Sequence, residues 1–176
     1  MLNVKCLVTG ELEENCYVIN LGIKALIIDP GDNADKIIKY VKDNKLEVDG
    51  ILITHHHFDH VGALKDIQNE FKKAKFIDFN DSGDIAIEPF HFKIIETYGH
   101  TLDSVSFYFD KQNVLFTGDF VFKGTIGNYD YDNEEKMVKS LKIFKYMPKD
   151  VIVYPGHGES TTVGEELENN PFLKGI

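Results

Sequence analysis

The segment Thr54-His55-His56-His57-Phe58-Asp59-His60 places four good metal ligands within six residues, where an apolar run ends and an amphipathic one begins. In an extended stretch His55 and His57 project to one side, because side chains alternate, and a turn into a helix brings Asp59 and His60 back toward them. His56 then points away and is not counted as a ligand. Gly99-His100-Thr101, Gly118-Asp119 and Pro155-Gly156-His157-Gly158 each follow another apolar run. The donor set is therefore His55, His57, Asp59, His60, His100, Asp119 and His157. Seven donors exceed what one tetrahedral zinc ion takes and suit two divalent cations sharing one carboxylate. Singly, each has an ordinary reading: Asp59 as a helix cap, Asp119 as a turn residue, His100 and His157 as hydrogen-bonded histidines. Their coincidence at strand ends favours a metal site, since loops there are held by a rigid scaffold. His91 lies outside the pattern and reads as a surface or partly buried polar residue.

Such donors need rigid elements to position them. Asn15 to Asn20 and Lys24 to Ile28 read as two strands, the second stopped by Asp29-Pro30-Gly31-Asp32. Ile37, Ile38, Val41 and Leu46 recur at helical spacing between Ala34 and Lys45. Ile51 to Thr54 reads as a buried strand, Val61, Leu64, Ile67 and Phe71 as one helix running to Lys73, and Lys75 to Phe79 as a further strand. Asn80 to Pro89, rich in Asp, Ser and Gly, reads as an exposed connection. Phe92 to Tyr98, Ser104 to Phe109 and Val114 to Thr117 form a meander, followed by a helix from Asp132 to Met147 and a strand from Val151 to Tyr154. The class is α/β, and the similar pattern of the two halves points to a sandwich with helices outside.

With 176 residues, 43% apolar and 27% charged, the chain has length for one sizeable core, and residues 1–176 are read as a single catalytic domain. All 19 basic residues are Lys, so no guanidinium clamp for phosphate or carboxylate exists in the chain. A net charge of −10 argues against nucleic acid as a partner. Cys6 and Cys16 read as small buried hydrophobes rather than a disulfide. The first twenty residues lack the pattern of a signal peptide and no run approaches the ~20 apolar residues of a membrane span, so a cytoplasmic protein acting on a small molecule is expected.

The order His-x-His-x-Asp-His, Gly-His-Thr, Thr-Gly-Asp and Pro-Gly-His-Gly, preceded by Ile28-Asp29-Pro30-Gly31, resembles the metallo-β-lactamase superfamily, in particular its glyoxalase II-like hydrolases. The resemblance covers almost the whole chain. It implies a four-layer αββα sandwich of two mixed β-sheets with a binuclear site at one edge. It assigns His55, His57 and His100 to a first metal and Asp59, His60 and His157 to a second, with Asp119 bridging and Asp29 orienting a ligand through a hydrogen bond. The ions, zinc with iron or manganese as alternatives, would activate a water against a thioester or ester, with Asp59 as the catalytic residue that orients the nucleophile or relays its proton.

The chain also departs from that pattern. Glyoxalase II continues into a helical domain that helps bind glutathione, whereas only Thr161 to Ile176 form a tail here. The stretch Phe120 to Asp130 resembles the family's Phe-Lys-Gly-Ser-Ile-Gly-Arg-Thr-Asp, with Asn128 where Arg is usual. Lys123 is thereby the cationic candidate for a substrate carboxylate and Tyr129 a hydroxyl or stacking group. A second reading comes from relatives that are persulfide dioxygenases holding one iron, by resemblance here on His55, His100 and Asp119. A nuclease is disfavoured because no inserted domain fits between His100 and His157. β-Lactam hydrolysis is disfavoured because no Cys stands at a ligand position.

Overall fold

The computed structural model describes residues 1–174. Its first half contains β1 (Asn3–Thr9), β2 (Glu14–Leu21), β3 (Lys24–Ile28), α1 (Ala34–Asp43), β4 (Glu47–Leu52), α2 (Phe58–Val61), α3 (Leu64–Glu70) and β5 (Lys75–Ile77). The second contains β6 (Gly83–Ile87), β7 (Phe90–Glu96), β8 (Val105–Phe109), β9 (Val114–Gly118), β10 (Val121–Phe122), β11 (Thr125–Ile126), α4 (Glu134–Leu141), β12 (Ile152–Pro155), β13 (Thr161–Thr162) and α5 (Val163–Asn169). One sheet runs β1-β2-β3-β4-β5 and the other β13-β12-β9-β8-β7-β6. Both are mixed: β3, β4 and β5 are parallel after two antiparallel pairs, and β12 lies parallel to β9 beside an antiparallel meander.

The period of two along the strands builds the layers. In β3, Leu26 and Ile28 face a central core with Tyr17, Leu52, Phe92, Phe107 and Phe116 from both sheets. Ala25 and Ile27 face the other way, onto Ile37 and Val41 of α1 and Ile67 of α3. Likewise Phe116 enters the central core while its neighbour Leu115 packs with Met137 and Leu141 of α4 and Val163 of α5. Three apolar clusters thus separate four layers, the αββα sandwich expected from the resemblance.

Several expectations are corrected. Asn80 to Pro89 is not only a connection: Gly83–Ile87 is an edge strand paired with β7, hidden by a polar composition in which Ile87 alone is fully buried. The alternating N-terminal residues form another edge strand, β1. The helix read from Val61 is two short pieces, broken at Gly62-Ala63, and the helix from Asp132 is regular only over Glu134–Leu141, between 3-10 turns. Cys6 is exposed, not buried, because it faces outward on the edge strand, while Cys16 is buried, and both are free. The expected tail forms β13 and α5 as far as it is described, with Gly175 and Ile176 outside the described residues. Among the described residues no helix is long and apolar enough to cross a membrane.

Candidate metal centre

The seven donors come from four strand ends spread over both sheets. His55, His57, Asp59 and His60 follow β4, His100 follows β7, Asp119 follows β9 and His157 follows β12. Their ligand atoms gather into groups within 4.8 Å: His55 with His57 and His100, His55 with His60 and Asp119, and Asp59 with His60 and His157. His57 Nδ1 lies 3.2 Å from His55 Nε2 and 2.9 Å from His100 Nε2. Asp119 stands between the two halves, its Oδ2 3.6 Å from His100 Nε2 and its Oδ1 3.2 Å from His60 Nε2 and 3.7 Å from His157 Nε2. Asp59 Oδ2 completes the second half at 3.2 Å from His157 Nε2.

The outer faces of the rings leave the inward nitrogens free to act as ligands. The Thr54 hydroxyl donates to Asp29 Oδ2 at 2.6 Å, so at 3.1 Å from His55 Nδ1 it is left to accept that ring's N–H. His60 Nδ1 donates to the same Asp29 oxygen at 3.0 Å. His100 Nδ1 donates to the Asn128 carbonyl at 2.6 Å and His157 Nδ1 to the Leu12 carbonyl at 3.1 Å. Each outward N–H is thus engaged, which leaves a lone pair on each inward Nε2. Lone pairs this close repel one another unless a cation lies between them. Buried His60 Nε2 and Asp119 Oδ1 have no hydrogen-bond partner, so the donor set fits two metal ions.

The electrostatics agree. Burial opposes charge on His60, yet the Asp119 and Asp29 carboxylates outweigh it and raise its pKa to about 11. Burial likewise opposes the Asp119 carboxylate, but His60, His157 and His100 hold it below its ordinary range. His55 is pushed strongly down by burial and by the facing rings of His60 and His100. The carboxylates that draw a proton onto His60 would draw a metal cation in its place, and burial disfavours charge on His55 and His57.

His56 points away from this cluster. Its backbone N–H and Nδ1 both donate to Asp103 Oδ2, at 3.1 and 2.8 Å, which ties the first ligand segment to the loop after His100. His91, half-exposed, lies 3.3 Å from Glu88. Lys123 Nζ is 2.7 Å from Glu159 Oε2 on the surface, and Tyr129 rests half-buried against the outer core of the second sheet.

Sequence reasoning missed the residues that hold the His157 loop. Asn15 Nδ2 donates to the carbonyls of Pro155 and Gly158 at 3.0 and 2.9 Å, and the Tyr17 hydroxyl donates to Pro155 O at 2.6 Å. Glu14 is buried beside them, accepts from the Thr9 hydroxyl at 2.7 Å, and is pushed up to about 9 by burial and by Asp29. No periodicity or motif marks these three as neighbours of His157. Asp103, which holds His56, was missed as well, and Thr54 was read only as part of the histidine motif.

Comparison with known proteins places the architecture. The family model of the metallo-beta-lactamase superfamily matches residues 9–78 and 73–157. A hydroxyacylglutathione hydrolase of Haemophilus influenzae, GloC, is 32% identical over 98% of both chains. Among solved structures, the BLEG-1 B3 metallo-beta-lactamase superposes with a TM-score of 0.89 at 31% identity, covering 99% of this chain and 100% of that one. TTHA1623 in a di-iron-bound form gives 0.83 at 28% identity, covering 96% and 100%. ETHE1 from Myxococcus xanthus gives 0.85 at 25% identity, covering 96% and 83%. With its four-layer sandwich and its donors at the strand ends, the chain belongs to the metallo-β-lactamase superfamily, whose members are generally metal-dependent hydrolases.

Proposed function

We propose that this protein is a binuclear metal-dependent hydrolase that cleaves a thioester or ester of a small metabolite. The observation that carries the reading is the pair of donor groups meeting at Asp119, with His60 Nε2 and Asp119 Oδ1 buried and unpartnered between them. Two divalent ions held there would supply Lewis-acid activation of a water and of the substrate carbonyl. The chain contributes the rest. His55, His57 and His100 would hold one ion, Asp59, His60 and His157 the other, and Asp119 both. Asp59 keeps a carboxylate oxygen at the centre, where it orients the attacking water and takes its proton. Asp29 fixes the rings of His55 and His60 against rotation, one through Thr54 and the other directly.

Zinc is the proposed metal, and the di-iron form of TTHA1623 supports iron as an alternative. The likeness to GloC supports an acyl thioester as substrate, and the two free cysteines and acidic charge support a cytoplasmic setting. The competing dioxygenase reading needs only His55, His100 and Asp119 and leaves Asp59, His60 and His157 without a task, so the two-metal reading uses more of the site. Elemental analysis of protein purified without added metal, paired with assays on thioesters, esters and a β-lactam, decides between them. Two ions per chain with ester or thioester turnover, and a loss of at least a hundredfold in kcat on His57→Ala, is the expected result. One iron per chain with oxygen consumption on a glutathione persulfide would replace this reading with the dioxygenase. Undiminished hydrolysis by His57→Ala would remove the binuclear mechanism.

A further inference from the structure

A cavity of about 420 Å³ opens beside Asp59, between the β1–β2 turn, the Gly31-Asp32 segment and the start of α2. Leu12 and Phe58 are its large apolar side chains, and they stay 53% and 73% exposed, although burial of either would be favourable. Both are tied to the donor set, Phe58 by sequence and Leu12 by a backbone contact. Phe58 lies between His57 and Asp59, and the Leu12 carbonyl accepts the His157 Nδ1–H at 3.1 Å. Asp59 lines the cavity and belongs to the second donor group, so the cavity borders the metal centre. The charged groups on its lining besides Asp59 are Glu11 and Asp32, and no Lys is among them. The cationic candidate elsewhere at the site, Lys123, is paired with Glu159.

We propose that this cavity is the specificity pocket for the substrate and that it takes an apolar group carrying no negative charge, next to the carbonyl under attack. The proposal rests on the hydrolase reading above and gives its substrate a chemical class. The volume lies in the range of small-molecule pockets and accommodates a branched or aromatic acyl group. Leu12 and Phe58 gain the burial they lack when such a group enters, while Glu11 and Asp32 repel a carboxylate at the same place. Substrates with two carboxylates near the scissile bond therefore fit this chain poorly, and neutral apolar ones fit well.

The test uses the zinc-loaded protein and three thioesters of N-acetylcysteamine: acetyl, phenylacetyl and succinyl. The expected order of kcat/KM puts phenylacetyl at least tenfold above succinyl. Leu12→Ala and Phe58→Ala should each cut the phenylacetyl-to-acetyl ratio about tenfold, which corresponds to a lost contact of a few methylene groups. Glu11→Lys should raise the succinyl-to-phenylacetyl ratio about threefold, an effect that fades at high salt. A wild-type preference for succinyl, or ratios unmoved by all three variants, would overturn the pocket while leaving the hydrolase standing. Should no thioester turn over, the hydrolase reading fails instead. The pocket is then judged by whether neutral phenylacetamide, but not succinamate, shifts the NMR resonances of Leu12 and Phe58. Absence of that shift overturns it.

Discussion

Asp29 sits in the left-handed backbone region, φ 50°, immediately after β3, and from there accepts the Thr54 N–H at 2.7 Å, the Thr54 hydroxyl and the His60 ring. One carboxylate thus fixes a ligand of each metal half, directly for His60 and through Thr54 for His55. Asp29→Ala should weaken metal binding by about 10–100-fold without removing any ligand. Competition against a chromophoric chelator measures it, and unchanged affinity would mean that packing alone orients the rings. His56 acts on a different bond: His56→Ala removes the ring's bond to Asp103, leaving only the backbone one, and should loosen the His55, His57 and His100 group more than the second group. Sequential cobalt titration followed by absorption separates the two steps, and an equal loss at both would refute that selectivity.

The elements do their work at their ends. Gly118 closes β9 at φ +51°, where a Cβ would collide with the Thr54 side chain, so Asp119, between the two donor groups, is reached only through a glycine. On the other sheet, Asn15 and Tyr17 at the start of β2 hold the carbonyls of the His157 loop. Asn15→Ala leaves the Gly158 carbonyl without its side-chain donor and the Pro155 carbonyl with the Tyr17 hydroxyl alone, and should cost about 1–3 kcal/mol. For a chain of this length that lowers the melting temperature by roughly 2–10 °C, measurable by calorimetry, with a shift under 1 °C contradicting the role given to Asn15. These contacts also mark how far the sequence could be read. The buried strands and the donors were legible because apolar runs ending in His or Asp repeat at several places. The edge strands β1 and β6 were not, because an edge strand buries only one face and its composition resembles a loop. Asn15 and Tyr17 were not either, since a bond spanning some 140 residues leaves no local pattern. The exposed Leu12 and Phe58 read as unremarkable singly and become a pocket only when the turn and α2 meet.

On the scale of the whole molecule, the donors belong to both sheets, so a bound metal pair fastens one half of the sandwich to the other. Anything that binds only the folded chain stabilises it by mass action, about 4 kcal/mol at a thousandfold excess over the dissociation constant. Chelation should therefore lower the melting temperature by about 10 °C, and readdition of zinc should restore it in a concentration-dependent way. An unchanged melting temperature would show that the donors do not hold metal in the native state. The same division between sheets orders events during synthesis. His55 to His60 emerge early, whereas His157 follows roughly 100 residues later, about 5–20 s at ordinary elongation rates. Over that interval an ion caught by the early donors is held by an incomplete set and can still exchange. On the two-metal reading, final metal choice would thus be made by the finished chain, when β12 docks beside β9, and not by whichever ion first meets the nascent histidines.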